Sequence, residues 1–417
     1  MGILGKTRLI LFCFCIASVL PSVNAQTVRQ PPARNTPPRV FLLDPQALEM
    51  NRQQIRRGDV AFREAVAKLD ADALKAKSAG PFSVVSKDAT PPSGDKHDYI
   101  SQAPYFWPDP KTQTGLPYIR RDGERNPEIN KYPDHQSMDR MIAAVETLAI
   151  SYYFKGDEAD AVHACRLLRA WFLDRATRMN PNLQYAQGIP GVTTGRGIGL
   201  IETRGLTRLI DAIGLLAGSR ALTVADHQGL QDWFGKFLAW MLESKNGRDE
   251  AASRNNHGTY YDLQTASYAL FLGKKELART ILEASRQKRL ALQIEPDGSQ
   301  PLELVRTKAW SYSVMNLQGL MSLARLGEVV GVDLWNYSTS DGRSIRRALD
   351  YLVPFALGDK KWPHQEIGEW PPQALFPLLR QAAITYEDPK YAALVLKIRR
   401  TSSADRDILL RRSAGRR

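Results

Sequence analysis

Residues 254–262, Arg-Asn-Asn-His-Gly-Thr-Tyr-Tyr-Asp, set two carboxamides beside an imidazole, with two phenols just beyond. About fifty residues later, a second run carries Glu303, Arg306, Trp310 and Tyr312. Asn256, His257, Arg306 and Tyr312 together supply donors for a carboxylate, a titratable imidazole and a phenol. β-Elimination from a sugar acid requires that set. The C5 proton beside a uronate carboxylate is only weakly acidic, because its loss piles charge onto an anion. Donors that neutralise the carboxylate bring the enolate-like intermediate within reach. A base must then take the C5 proton, and an acid must protonate the departing O4.

Each residue also has a plainer reading. Asn255 and Asn256 suit the N-cap of a helix opening near Tyr260. Arg306 lies three residues after Glu303, the spacing of a helical ion pair that would also hold the arginine in place. Tyr312 has the sequence context of a half-buried core phenol. As a base it needs a phenol pKa lowered by a cation, and Arg306 is the candidate. Two other functions fit the composition. A glycoside hydrolase needs two placed carboxyl groups, and Glu202, Asp262, Glu303 and Glu366 are available without an obvious paired motif. A non-catalytic binder of acidic glycans would use the aromatic and basic residues for capture alone.

The chain around these residues reads as helical. Lys6 and Arg8 precede an apolar run, Leu9 to Leu20, and then Val23-Asn24-Ala25, the pattern of an export signal over residues 1–25. A periplasmic or secreted protein is expected, with no later segment apolar enough to span a membrane. Residues 26–39 hold Pro31, Pro32, Pro37 and Pro38 and read as a linker. Asp44-Pro45 opens a helix as N-cap and first position. Residues 80–133, rich in proline, aromatics and arginine, read as an ordered loop covering a cleft. From Asp139 helices follow one another, with expected spans near 202–218, 224–243, 263–272, 275–289, 310–327, 343–357, 373–385 and 389–400. The strings at 151–159 and 267–278 echo each other as helix, glycine turn, helix, and repeated αα-hairpins of this kind build an α-solenoid or an α/α toroid.

The formal charge is +13, of which residues from Lys397 onward hold eight basic side chains against two acidic ones. That basic end, 401–417, reads as a solvated tail. The charge suits an acidic partner, but no nucleic-acid-binding module is present. Cys165 is the one cysteine outside the export signal and reads as a small buried hydrophobe.

The string Asn255-Asn256-His257-Gly258-x-x-Tyr261-Asp262, with Glu303-Leu-x-Arg306-Thr-x-x-Trp310-x-Tyr312-Ser313, resembles the alginate lyase superfamily of polysaccharide lyases. Supporting strings are 101–108, 116–123, 183–187 and 195–197, so the resemblance runs from roughly Leu42 to Leu379. It implies an all-α fold: an incomplete (α/α) toroid of αα-hairpins over about 40–400, with long loops covering a central groove. It also implies cleavage of a uronic-acid polysaccharide, poly-mannuronate alginate or glucuronan, to give 4,5-unsaturated ends. Asn256, with Arg306, would neutralise the uronate carboxylate, while His257 and Tyr312 share proton transfer. Where C5–H and O4 leave from the same side, as in mannuronate, Tyr312 would be base and then acid, with His257 supporting the phenolate or contacting the carboxylate. An opposite-sided departure, expected for guluronate and glucuronate, would make His257 the base and Tyr312 the acid. Tyr99, Gln102, Tyr105, Trp107, Arg120 and Arg121 of the early loop would line or cover the groove. Tyr185, Gln187, Arg196, Asn255, Tyr261 and Trp310 would contact sugars. No cofactor or metal is implied, and His97, His135, His163, His227 and His364 form no ligand-spaced cluster.

Overall fold

A computed structural model describes residues 1–2, 37–397 and 406–412. The chain divides into Met1–Gln30 and Pro31–Arg417, and everything below concerns the second unit. The expected export signal lies almost wholly outside the described residues, as does most of the expected linker.

Helix α1 (Pro45–Arg56) opens as expected: the Asp44 carboxylate accepts from the backbone N–H of Gln46 and Ala47, with proline at the first position. After α2 (Arg63–Ala76) comes the long irregular segment. It holds three short strands: β1 (Ile100–Gln102), β2 (Phe106–Trp107) and β3 (Ile119–Arg120). Strands β2 and β3 pair antiparallel, whereas β1 pairs parallel with β4 (Tyr185–Gly188) from a second loop. The segment is pinned from beneath by Lys87. Its fully buried ammonium donates to the carbonyls of Val84, Lys96 and Asp98 and lies 2.8 Å from buried Asp134. A buried cation with four oxygen partners offsets a large desolvation cost, and losing any partner would expose that cost.

Helix α3 (Asp134–Lys155) starts five residues before the expected Asp139. It turns at Gly156, whose φ of 78° a side chain would strain, into α4 (Glu158–Leu168). Then follow α5 (Leu206–Leu215), α6 (Val224–Glu243), α7 (Lys245–Ala251), α8 (Asn256–Phe271) and α9 (Lys275–Ser285). Helix α9 runs on as a π turn through Ala291. The remainder is α10 (Pro301–Leu304), α11 (Ala309–Val330), α12 (Ile345–Ala356), α13 (Phe376–Tyr386), α14 (Pro389–Lys397) and α15 (Asp407–Leu410). Pairs α3/α4 and α8/α9 are the two echoed hairpins. Helix α3 packs on α5, α5 on α8, and α8 on α11. The ends of this run, α3 and α11, flank an open trench instead of closing a ring, so the architecture is an incomplete α/α toroid.

Helix α8 is the innermost element. All of its sixteen residues except His257 are buried, although many are polar. Interior partners satisfy them: Asp262 pairs with Arg289 at 2.7 Å, Thr259 donates to Gln293 and Gln264 donates to Leu200. Cys165 is buried as expected, and burial pushes its thiol pKa up to about 12. Part of the basic end departs from expectation. Leu409 of α15 is fully buried, and its carbonyl accepts from Asn51 of α1 at 2.9 Å. Residues 406–412 are therefore packed against the body and are not a solvated tail. Among the described residues no helix is long and apolar enough to cross a membrane.

Candidate active site

The two motifs meet. Asn255, Asn256 and His257 from the start of α8 share a cavity of about 510 Å³ with Arg306 and Tyr312, which flank the start of α11. Helix α8 begins earlier than expected, at Asn256, because Asn255 caps it: its side chain accepts from the His257 N–H at 3.3 Å. Gly258 follows by necessity. A Cβ there would overlap the Ser253 carbonyl and the Arg289 guanidinium. That guanidinium also donates to the carbonyls of Ser253 and Ala251, so the Arg289–Asp262 pair clamps the turn from α7 into α8.

The clamp matters because α7 carries Glu250. Its buried carboxylate lies 2.8 Å from His257 Nδ1, while its other oxygen has no partner. Nδ1 is thus occupied in either protonation state, and Nε2 is the nitrogen left for the cavity. Asn256 is less free than expected. It is fully buried; its Nδ2 donates to Glu303 Oε2 and its backbone N–H to Glu303 Oε1, each at 2.7 Å. Its Oδ1 is buried without a partner, and its second amide proton makes no hydrogen bond to the described residues. Burial raises the Glu303 carboxyl pKa, against the pull of these two hydrogen bonds.

Glu303 is consequently not the ion-pair partner of Arg306. That partner is Asp122, reached by a fork from Nε at 3.0 Å and Nη2 at 2.9 Å. The pair drives the Asp122 carboxyl pKa far below the usual range even though burial opposes this. Thr307 adds donors to Asp122, so the covering loop is stitched to the start of α11. The Arg306 guanidinium also lies 3.8 Å from the Tyr312 ring centroid. The expectation that this cation lowers the phenol pKa is overturned. Burial and a 2.9 Å hydrogen bond with the Tyr105 hydroxyl outweigh Arg306, and the phenol is raised well above its ordinary value. At neutral pH Tyr312 therefore holds its proton.

The expected sugar-contacting residues divide. Gln102, Tyr105, Arg120, Gln187, Arg196 and Asn255 line the cavity. Gln187 sits at φ 50°, unusual for a residue with a Cβ, and accepts from Arg196 at 2.9 Å. Three aromatics belong to the core. Tyr99 is fully buried and donates to Glu202 at 2.7 Å; Tyr261 is buried and donates to the Met241 carbonyl; Trp310 is fully buried against Trp362 and Trp370. Trp107, Arg121 and Tyr185 are not among the lining residues. Arg121 stacks over Trp107, whose Nε1 donates to the Glu124 carbonyl. Two further arginines, Arg125 and Arg204, line the cavity unforeseen. Five arginines thus line it, and Glu202 is the single carboxylate among its lining residues. A larger cavity, about 1070 Å³, lies farther along α3, α5 and α11. It holds none of the candidate residues, and its charges neutralise one another, as in Arg208 with Glu146 at 3.2 Å and Arg412 with Asp44 at 2.8 Å.

The family model described as alginate lyase matches residues 83–362. The chain is similar to an alginate lyase from Bacteroides ovatus of known crystal structure. Their identity is 39% and their TM-score 0.86, covering 89% of this chain and 99% of that one. It shares its fold with alginate lyase A1-III from Sphingomonas species A1, at 16% identity and TM-score 0.52 over 84% of this chain and 91% of the other. A variant of A1-III complexed with a tetrasaccharide matches at 15% identity and TM-score 0.53, over 86% of this chain and 92% of that one. No curated protein matches the chain.

Proposed function

Since the chain belongs to the alginate lyase family and is a polysaccharide lyase, we propose that it cleaves a polymer of mannuronate or glucuronate by same-side β-elimination. The observation that carries this reading is the cavity that brings Asn256, His257, Arg306 and Tyr312 together under five arginines and one carboxylate. Such a cavity favours a polyanion. It also disfavours the hydrolase alternative, which needs two carboxyl groups at the sugar: Asp262 is tied to Arg289, Glu303 to Asn256, and Glu366 to Ser311 at the start of α11. Capture alone would leave the buried Glu250–His257 pair without use. The pattern in residues 1–25 supports an exported enzyme.

Mannuronate and glucuronate share their configuration at C4 and C5 and differ at C2. In both, C5–H and O4 leave from one face, which corrects the opposite-sided departure expected for glucuronate, so one group can serve both ends. Tyr312 is that group. The remaining Asn256 amide proton and the Arg306 guanidinium neutralise the uronate carboxylate. His257 Nε2 takes the phenol proton, and the resulting imidazolium is stabilised by Glu250. Arg306, stacked on the ring, stabilises the phenolate. The phenolate removes the C5 proton, the C4–O4 bond breaks, and the re-formed phenol gives its proton to O4. The new C4–C5 double bond absorbs in the ultraviolet.

The test is the rise of that absorbance on mannuronan and glucuronan for wild type and Tyr312→Phe. The variant should lose at least about a thousandfold in turnover and still bind polymer. A fully active variant, or a wild type that yields reducing ends without the absorbance, defeats the reading.

A further inference from the structure

Glu202 has no part in the elimination, yet it is the one anion in a cationic groove. It is 6% exposed, on the 3₁₀ turn before α5. Its Oε2 accepts from the Tyr99 hydroxyl and from Ser101 Oγ, each at 2.7 Å. Its Oε1 accepts from no described residue and is not sealed from solvent. The wall behind it is rigid. Ser101 Oγ also accepts the Gln187 N–H at 2.8 Å, Gln187 in turn holds Arg196, and Arg196 lies within electrostatic reach of both Glu202 and Glu250. A carboxylate anchored at one oxygen and open at the other is a fixed acceptor.

We propose that Glu202 is a specificity-determining residue, whose Oε1 accepts a hydroxyl from the C2–C3 edge of the uronate at the reaction centre. The inference rests on the elimination reading given above. Residues at the starts of α8 and α11 hold C4, C5 and the carboxylate, which leaves the opposite ring edge to the wall built from β1, β4 and the turn before α5. An anion at that wall repels the carboxylate and so fixes which way the ring faces. It welcomes a hydroxyl in one configuration. Mannuronate and glucuronate differ at C2, so Glu202 sets the choice between their polymers, whereas groups that act on C4 and C5 cannot.

Glu202→Gln keeps the shape and lets the amide oxygen accept from Tyr99 and Ser101, but removes the charge at the wall. Ser101→Ala keeps the carboxylate and loosens it, and guards against a folding defect in the first variant. Each is assayed on mannuronan and glucuronan of matched length. Polymer affinity is measured in parallel by calorimetry in a Tyr312→Phe background. Wild type should prefer one polymer by about tenfold or more in kcat/KM. Glu202→Gln should lose about 5- to 30-fold on that polymer and less than about threefold on the other. Ser101→Ala should move the ratio part of the way. The affinity ratio should collapse in the same direction. Equal losses on both polymers, an unmoved ratio, or a wild type without preference overturns the proposal. A wild type that eliminates neither polymer defeats the elimination reading instead, and the affinity ratio then decides the role of Glu202 alone.

Discussion

Replacing Glu250 by glutamine tests the proton path most directly. In wild type the carboxylate lies 2.8 Å from His257 Nδ1; Glu250 is 1% exposed and the imidazole 15%. Water screens this contact little, so the charge on Glu250 acts on the imidazolium that forms when Tyr312 gives up its proton. Glutamine preserves the volume and can still accept from Nδ1–H through its oxygen. It loses the negative charge, and in its other orientation it donates to Nδ1 and forces the wrong tautomer. A hydrogen bond to a charged group contributes about 1.5–3 kcal/mol against about 1 kcal/mol for a neutral one. Loss of the full charged bond in the transition state corresponds to a factor of roughly 10 to 150 in kcat. The fold should tolerate the change, because the second carboxylate oxygen already lacks a partner, and Tm should stay within about 3 °C. The assay is steady-state ultraviolet kinetics on the preferred polymer, with a thermal melt on the same sample. A Glu250→Gln enzyme within about threefold of wild type, melting normally, would refute the imidazolium step.

Other outcomes follow from the same geometry. Ultraviolet difference titration of wild type against Tyr312→Phe should show no phenolate from Tyr312 below about pH 10, because burial and Tyr105 raise its pKa; a phenolate signal at pH 8 contradicts the proton bookkeeping. Asp122→Ala removes the fork that holds Arg306, so kcat/KM should fall about 10- to 100-fold, mainly in kcat, with partial recovery in Asp122→Asn; unchanged kinetics would show that Arg306 needs no support. Gly258→Ala forces a methyl against Ser253 and Arg289 and should cost about 1–3 kcal/mol, visible as a Tm lowered by a few degrees together with lost activity; a melt equal to that of wild type would show that the turn yields.

The sequence carried the reacting residues further than their surroundings. Asn255 could be read as a cap because a carboxamide before a helix has a local job, and the αα-hairpins were legible because a left-handed glycine, Gly156 or Gly273, stands at or just past the end of α3 and of α8. The motif itself misled on polarity. Asn256 to Asp262 looks too polar for a core helix, yet α8 is the core, its polar groups satisfied by partners such as Gln293 and Arg289 that lie far along the chain. Tyr99, Tyr261 and Trp310 show why aromatics near a motif do not declare their side. Each has a polar tip that a backbone carbonyl or a buried carboxylate satisfies as well as a sugar does. The spacing of Glu303 and Arg306 suggested a local ion pair. The fold instead gives each a partner about 50 and 184 residues away, in Asn256 and Asp122, and no periodicity encodes such meetings. Glu250 stands seven residues before His257 and became a partner only because α7 and α8 are separate helices meeting at a clamped turn.

Fifteen of the sixteen residues of helix α8 are interior, and the sixteenth, His257, is itself a reacting group. The reacting groups are therefore mounted on a part of the molecule where mutation is heavily taxed. The groove's other wall is built from short strands and loops, where exchange is tolerated far better. Divergence among related enzymes should accordingly concentrate in that wall, so that a lineage can acquire a new polymer while its bond-breaking apparatus stays fixed.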